Sequence, residues 1–211
     1  MLRITPFRSL KPALSSPRTF TTTTILQARI LPTIKAEHSK LRDEYKKIKS
    51  AANSDEKDRW RNQFSWDLAR HSIGEEIIVY PQFETHLPNG KEMADRDRAH
   101  HYEVKVSLAK VQDMDVTSAD FDPELDKLMK SLENHIKEEE EHDLPALEEK
   151  LSIEASDDLS GKFERTKMFV PTKSHPTAPD KPPYETVVGM LTTPIDLMRD
   201  MFKKFPKEAR K

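Results

Sequence analysis

Two segments of this chain, HSIGEEIIVYPQFE from His71 and HIKEEEEHDLPALE from His135, share a histidine at the start, two glutamates four and five residues on, a proline at the tenth and a glutamate at the thirteenth. Residues four apart on a helix lie about 40° apart around the axis and roughly 6 Å along it, so each His-x-x-x-Glu pair can reach one point from one helix. The likeness extends upstream. His38 is followed three, seven and ten residues on by Leu41, Tyr45 and Ile48, and His101 by Val104, Leu108 and Val111. The offset between copies is 63 residues for the first histidines and 64 for the second. The pattern predicts two copies of a helical hairpin, packed about an approximate two-fold axis with their histidines and glutamates inward.

Apolar residues at spacings of three and four mark four helices. The first is expected from about Pro32 to Ser50 on Ile34, Leu41, Tyr45 and Ile48, and the second begins near an N-cap at Ser54 with Trp60, Phe64, Leu68 and Ile78 inside. The third is expected over Lys91 to Gln112 with Met93, Val104, Leu108 and Val111 inside. The fourth is expected to start with Asp122 as N-cap and Pro123 in the first helical position, burying Leu125, Leu128, Leu132 and Ile136. Joined by loops near Asn53, Pro88-Asn89-Gly90 and Met114 to Phe121, they predict an all-α fold: an antiparallel up-down-up-down four-helix bundle with a proline-rich C-terminal extension.

Each apolar stripe is interrupted by one histidine: His38, His71, His101 and His135. A buried imidazole needs a partner, and four of them converging with carboxylates point to metal. The chain has no cysteine, which removes disulfides, thiolate zinc and thiol catalysis and leaves nitrogen and oxygen donors only. Four imidazoles with two carboxylates, Glu75 and Glu139, exceed a closed structural zinc site; they favour two ions sharing the carboxylates. A sulfur-free set suits non-haem iron, with manganese or zinc as alternatives. Glu138 and Glu141 read as a solvated face, and His142 as either exposed or a donor to a ligand. No nucleophile with a nearby base marks a catalytic residue.

Composition is uneven along the chain. Hydrophobic residues are 35% of the total, below the 45–50% or so of ordinary domains, because both ends dilute the bundle. Residues 1 to 36 hold no Asp or Glu but carry Arg3, Arg8, Lys11, Arg18, Arg29 and Lys35 among clustered serines and threonines. That is the composition of an organellar import sequence, with a plain basic arm as the alternative. The expected division is a presequence over 1–30, the bundle over 31–151, and a proline-rich tail over 152–211 with a short helix from Pro194 to Phe205. The expected location is the mitochondrial matrix, with the cytoplasm as alternative. A net charge of −2 gives no pull toward nucleic acid, and no apolar run approaches the ~20 residues of a membrane span.

These residues resemble the hemerythrin-like family of HHE cation-binding bundles over about residues 30 to 151, and the proline-rich tail is similar to those of fungal members. The resemblance implies His38 as the first-helix ligand, His71 with Glu75 as the second-helix pair, His101 as the third-helix ligand and His135 with Glu139 as the fourth-helix pair, Glu140 being the substitute for Glu139. It further implies two non-haem iron ions, carboxylate- and oxo- or hydroxo-bridged, that meet dioxygen or another diatomic or peroxide ligand at an open position. Oxygen-carrying members place a histidine four residues before the third-helix ligand. Here that position is Asp97, which argues against reversible oxygen carriage. Asp97 is a ligand, an acceptor for a ligand N–H, or exposed; His100 is a further candidate and Tyr45 a core residue near the site. The expected function is a di-iron protein that binds, senses or reacts with dioxygen or related species, or handles iron. The alternative is a metal-stabilised interaction bundle without redox chemistry.

Overall fold

The computed structural model describes residues 29–174, 196, 200 and 203–209. The import-like arm, most of the proline-rich segment and most of the expected terminal helix lie outside the described residues. Helices follow one another as α1 (Ile30–Lys49), α2 (Ser54–Gly74), a π-helical turn (Glu75–Val79), α3 (Tyr80–His86), α4 (Gly90–Asp113), α5 (Phe121–Glu138), a second π-helical turn (Glu139–Asp143), α6 (Leu144–Lys150) and α7 (Ile153–Thr166). The described residues contain no strand. Each of α2 and α5 runs on through its π turn into a short helix, so four long rods make the bundle.

Ion pairs and ring contacts fix the directions. Lys40 pairs with Asp67 at 2.6 Å and Lys47 lies over the Trp60 ring, so α1 and α2 run antiparallel. The C-terminal end of α1 meets the start of α5 through Lys49 and Asp126 at 2.8 Å, while Arg29 at its other end pairs with Glu148 of α6. Across the bundle, Arg61 of α2 donates to the Gln112 and Met114 carbonyls at 3.0 and 2.9 Å, closing the C-terminal end of α4.

Two helix starts differ from the sequence expectation. Asn53 rather than Ser54 caps α2, accepting from the Glu56 N–H at 2.9 Å. The fourth rod begins after Asp120, two residues before the expected cap, which leaves Pro123 still in the first turn, where its missing N–H is no loss. Ile78, expected inside, is only half-buried, and Val79 is fully buried in its place. The π turn holds an extra residue per turn, so the inward register slips by one beyond Glu75.

The helix α7 had no counterpart in the expected pattern. Ser152 caps it, accepting from the Ala155 N–H at 3.2 Å, and Leu159 and Phe163 are its buried anchors. Phe163 comes so close to α2 that a Cβ on Gly74 would lie 2.8 Å from its ring. Downstream, Ser174 Oγ donates to the Lys105 carbonyl at 2.7 Å, and near the C-terminus Asn62 and Arg59 of α2 donate to the Lys204 and Phe205 carbonyls at 3.0 and 3.2 Å.

The core falls into two apolar blocks. One contains Leu41, Phe64, Leu68, Val104, Leu108, Leu128 and Leu132; the other contains Ile34, Val79, Phe83, Ala94, Leu144 and Phe163. The four inward histidines lie between them. At the tight corner between α3 and α4, a Cβ on Gly90 would sit 1.7 Å from the Phe83 carbonyl oxygen. Gly90→Ala must therefore pry the corner open, and urea denaturation should show a loss of about 2 to 3 kcal/mol.

Candidate metal centre

Proline shapes the site. Pro81 and Pro145 lack the N–H that would bond four residues back, and their rings would clash with that carbonyl. Each rod widens by one residue just before them. The Tyr80 N–H reaches back to the Glu75 carbonyl and the Leu144 N–H to the Glu139 carbonyl, both five-residue bonds. The wide turn carries two consecutive carboxylates toward the centre, Glu75 with Glu76 on one rod and Glu139 with Glu140 on the other. Turns of this kind recur at functional sites.

All six residues singled out by the sequence come together, none more than 1% exposed. Ligand atoms of His38, His71 and Glu75 lie within 4.8 Å of one another, as do those of Glu75, His101, His135 and Glu139. Glu75 belongs to both groups. Its Oε2 lies 3.1 Å from His71 Nε2 and 3.4 Å from His101 Nε2, and its Oε1 lies 3.9 Å from His38 Nε2. Glu139 Oε2 lies 3.3 Å from His135 Nε2 and 3.5 Å from His38 Nε2. Each carboxylate thus spans both hairpins. His38 Nε2, both nitrogens of His71, both oxygens of Glu75 and Glu139 Oε2 are buried without an aligned hydrogen bond. Unpaired polar atoms on this scale are costly in a core, and a cation is what would satisfy them.

A second ring of contacts follows the two-fold pattern. His38 Nδ1 bonds Glu140 at 2.9 Å, and Arg42 Nη1 donates to the same carboxylate oxygen at 3.2 Å. His101 Nδ1 bonds Glu76 at 2.9 Å, and Lys105 pairs with the other Glu76 oxygen. An Nδ1–H held by a carboxylate points the Nε2 lone pair at the centre and makes it a better ligand. Glu140 is therefore outside the cluster and supports His38 from the opposite hairpin.

Burial and mutual contact shift the protonation of these side chains. Burial, with Glu139 beside it, pushes the Glu75 carboxyl up to about 7. Burial also works against charge at His38 and His101, yet their carboxylate partners outweigh it and raise them to about 9 and about 10. Burial and the neighbouring cationic imidazoles hold His71 well below its usual range. Burial likewise takes His135 down to about 3, against the pull of Glu139. Above about pH 7, where Glu75 is ionised, His38 and His101 still carry the protons that a bound cation would displace.

The remaining sequence candidates separate cleanly. Asp97 is fully buried, its Oδ1 accepting from Arg96 Nε at 3.3 Å, and it groups with His100 and His135. Tyr45 is away from the centre, its hydroxyl donating to Asp126 at 2.8 Å. His142 and Glu141 are exposed, whereas Glu138 is half-buried against Arg96 at 3.4 Å. Sequence reasoning missed Tyr80, whose buried hydroxyl lies 2.9 Å from His101 Nε2 and donates to Glu139 Oε1 at 3.1 Å. Its counterpart in the other copy is Leu144, so the repeat gave no signal. Glu76 was visible as the second matched glutamate of the repeat.

The hemerythrin HHE cation binding domain matches residues 29–147 of this chain. A hemerythrin-like protein of Schizosaccharomyces pombe is 55% identical over 179 residues, covering 84% of this chain and 88% of the yeast protein. In fold, the chain is similar to the crystal structure of a hemerythrin HHE cation binding domain-containing protein from Mycobacterium kansasii. The TM-score is 0.57 at 20% identity, over 67% of this chain and 88% of that one.

Proposed function

Since the chain belongs to the hemerythrin HHE cation-binding domain family, we propose that His38, His71, Glu75, His101, His135 and Glu139 hold two iron ions side by side. In this reading the protein binds, senses or reacts with dioxygen or a related small species, or takes part in iron handling. The observation that carries it is the sharing of Glu75 by two buried ligand groups. Iron there would supply a redox-active Lewis acid that can accept a diatomic or peroxide ligand. The chain's own residues supply the rest: Glu76 with Lys105 and Glu140 with Arg42 fix two imidazoles from outside, and Tyr80 puts a hydroxyl among the carboxylates. We place the protein in the mitochondrial matrix on its acid-free, basic first 36 residues; a fluorescent fusion that stays cytosolic removes that placement.

Elemental analysis of purified protein, joined to absorption spectra taken anaerobically and in air, tests the reading. Two irons per chain with a visible band that responds to oxygen or peroxide is the expected result. Zinc without redox change would leave a metal-stabilised bundle, in which the ions only add binding free energy to folding. No transition metal at all would sink both. The protonated imidazoles add a second expectation: loading at pH 8 releases about two protons per chain, and release fades as pH rises past about 10, because metal then displaces no proton. Calorimetry in buffers of different ionisation enthalpy counts them.

A further inference from the structure

The six candidate ligands are sealed, and an ion from water must reach them without crossing an apolar wall. A hydrated divalent ion sheds water readily only where protein donors replace it one at a time. Asp97, His100 and His135 form a third group whose ligand atoms lie within 4.8 Å of one another. Asp97 and His135 are buried, while His100 is half-buried and so the outermost of the three. Asp97 Oδ2, His100 Nδ1 and His135 Nδ1 are all buried atoms without a hydrogen-bond partner. Two imidazoles and one carboxylate are a competent set for a divalent first-row metal with open positions.

His135 joins this group to the main one. Its Nε2 is 2.9 Å from His101 Nε2 and 3.3 Å from Glu139, whereas its Nδ1 is unclaimed. Charge also singles out this edge. Arg96 faces three carboxylates there, Asp97 at 3.3 Å, Asp143 at 2.5 Å and Glu138 at 3.4 Å. At the other two edges the carboxylate nearest the centre is closed by a cation with less acid around it: Glu76 by Lys105, and Glu140 by Arg42, which also holds Glu133. One guanidinium shared among three carboxyl groups leaves this edge less firmly closed by a cation than the other two.

We propose that Asp97, His100 and His135 form an outer loading position, through which a divalent metal passes to and from the paired site. His100 takes the ion from solvent, Asp97 replaces further water, and His135 hands it inward. The proposal rests on the paired site binding metal, and its test separates the two.

Metal-free full-length protein is mixed with Co(II), uptake is followed by visible absorption, and removal is followed after adding a chelator. His100→Ala should slow uptake and removal by the same factor, about tenfold or more. Stoichiometry should stay at two and equilibrium affinity should not change, because a route alters rates in both directions equally. Asp97→Asn should do the same, and it serves if the histidine variant fails to fold. Unchanged rates would overturn the loading route while leaving the paired site intact. Weakened equilibrium binding or fewer than two ions would overturn it by making Asp97 and His100 standing ligands, and three ions at equilibrium would make the group a permanent site. Wild-type protein that takes up no metal would overturn both this inference and the reading beneath it.

Discussion

Replacing Glu75 with Gln should strip the protein of both ions, and the same change should make the metal-free protein more stable. Glu75 is the one carboxylate shared by both ligand groups, so the amide weakens both positions together. Without metal, however, its charge is a liability: burial and Glu139 push its carboxyl to about 7 from the ordinary 4.5. A carboxyl raised on folding takes stability away as pH climbs through that window. The penalty is absent below about 4.5 and complete above about 7, where it reaches on the order of 3 kcal/mol. Metal-free Glu75→Gln should therefore match wild type near pH 4 and exceed it by that amount at pH 8 in urea denaturation. Adding metal inverts the order, since free ion a thousandfold above Kd stabilises only the wild type, by about 4 kcal/mol for each of the two ions. A metal-free variant less stable than wild type at pH 8 would mean that Glu75 is not the strained carboxylate.

Phe163→Ala should be among the most damaging single changes away from the ligands. The ring is fully buried, meets His71 edge-on at 6.1 Å and carries Lys167 over its face at 4.9 Å. Truncating a buried phenylalanine costs about 3–5 kcal/mol. The cavity opens beside the His71 ring, so water gains a path to one imidazole of the centre. The expected results are that loss in denaturation of metal-free protein and faster surrender of bound metal to a chelator. A destabilisation below about 1 kcal/mol would mean that α7 is an attachment and not a wall of the site.

The bundle was legible because its chemistry is periodic. Leu125, Leu128, Leu132 and Ile136 recur at helical spacing and are all buried, and the histidines that break such stripes are conspicuous for doing so. The π turns were half legible. Pro81 and Pro145 stand at matching places, but proline alone does not say whether a helix breaks, kinks or widens, and so the apolar spacing points Ile78 inward where the structure buries Val79. The helix α7 was not legible by apolar count. It packs on Ser156, Ser160 and Gly161 as well as Leu159 and Phe163, and small residues that permit close approach leave no hydrophobic trace. Tyr80 was silent for another reason: it breaks the two-fold repeat through which the other site residues were found.

A layer of imidazole and carboxylate crosses the bundle between two apolar blocks, and the histidines sit within it on all four rods. Neither block reaches the other through continuous greasy contact near the axis. Cooperativity in the metal-free chain must pass through backbone and a handful of charged hydrogen bonds, so each end is free to open without the other. Amide exchange should then resolve two protection classes, one for each end of the bundle. Bound ions would act as rivets through the middle of a laminate, merging both classes into a single unfolding unit.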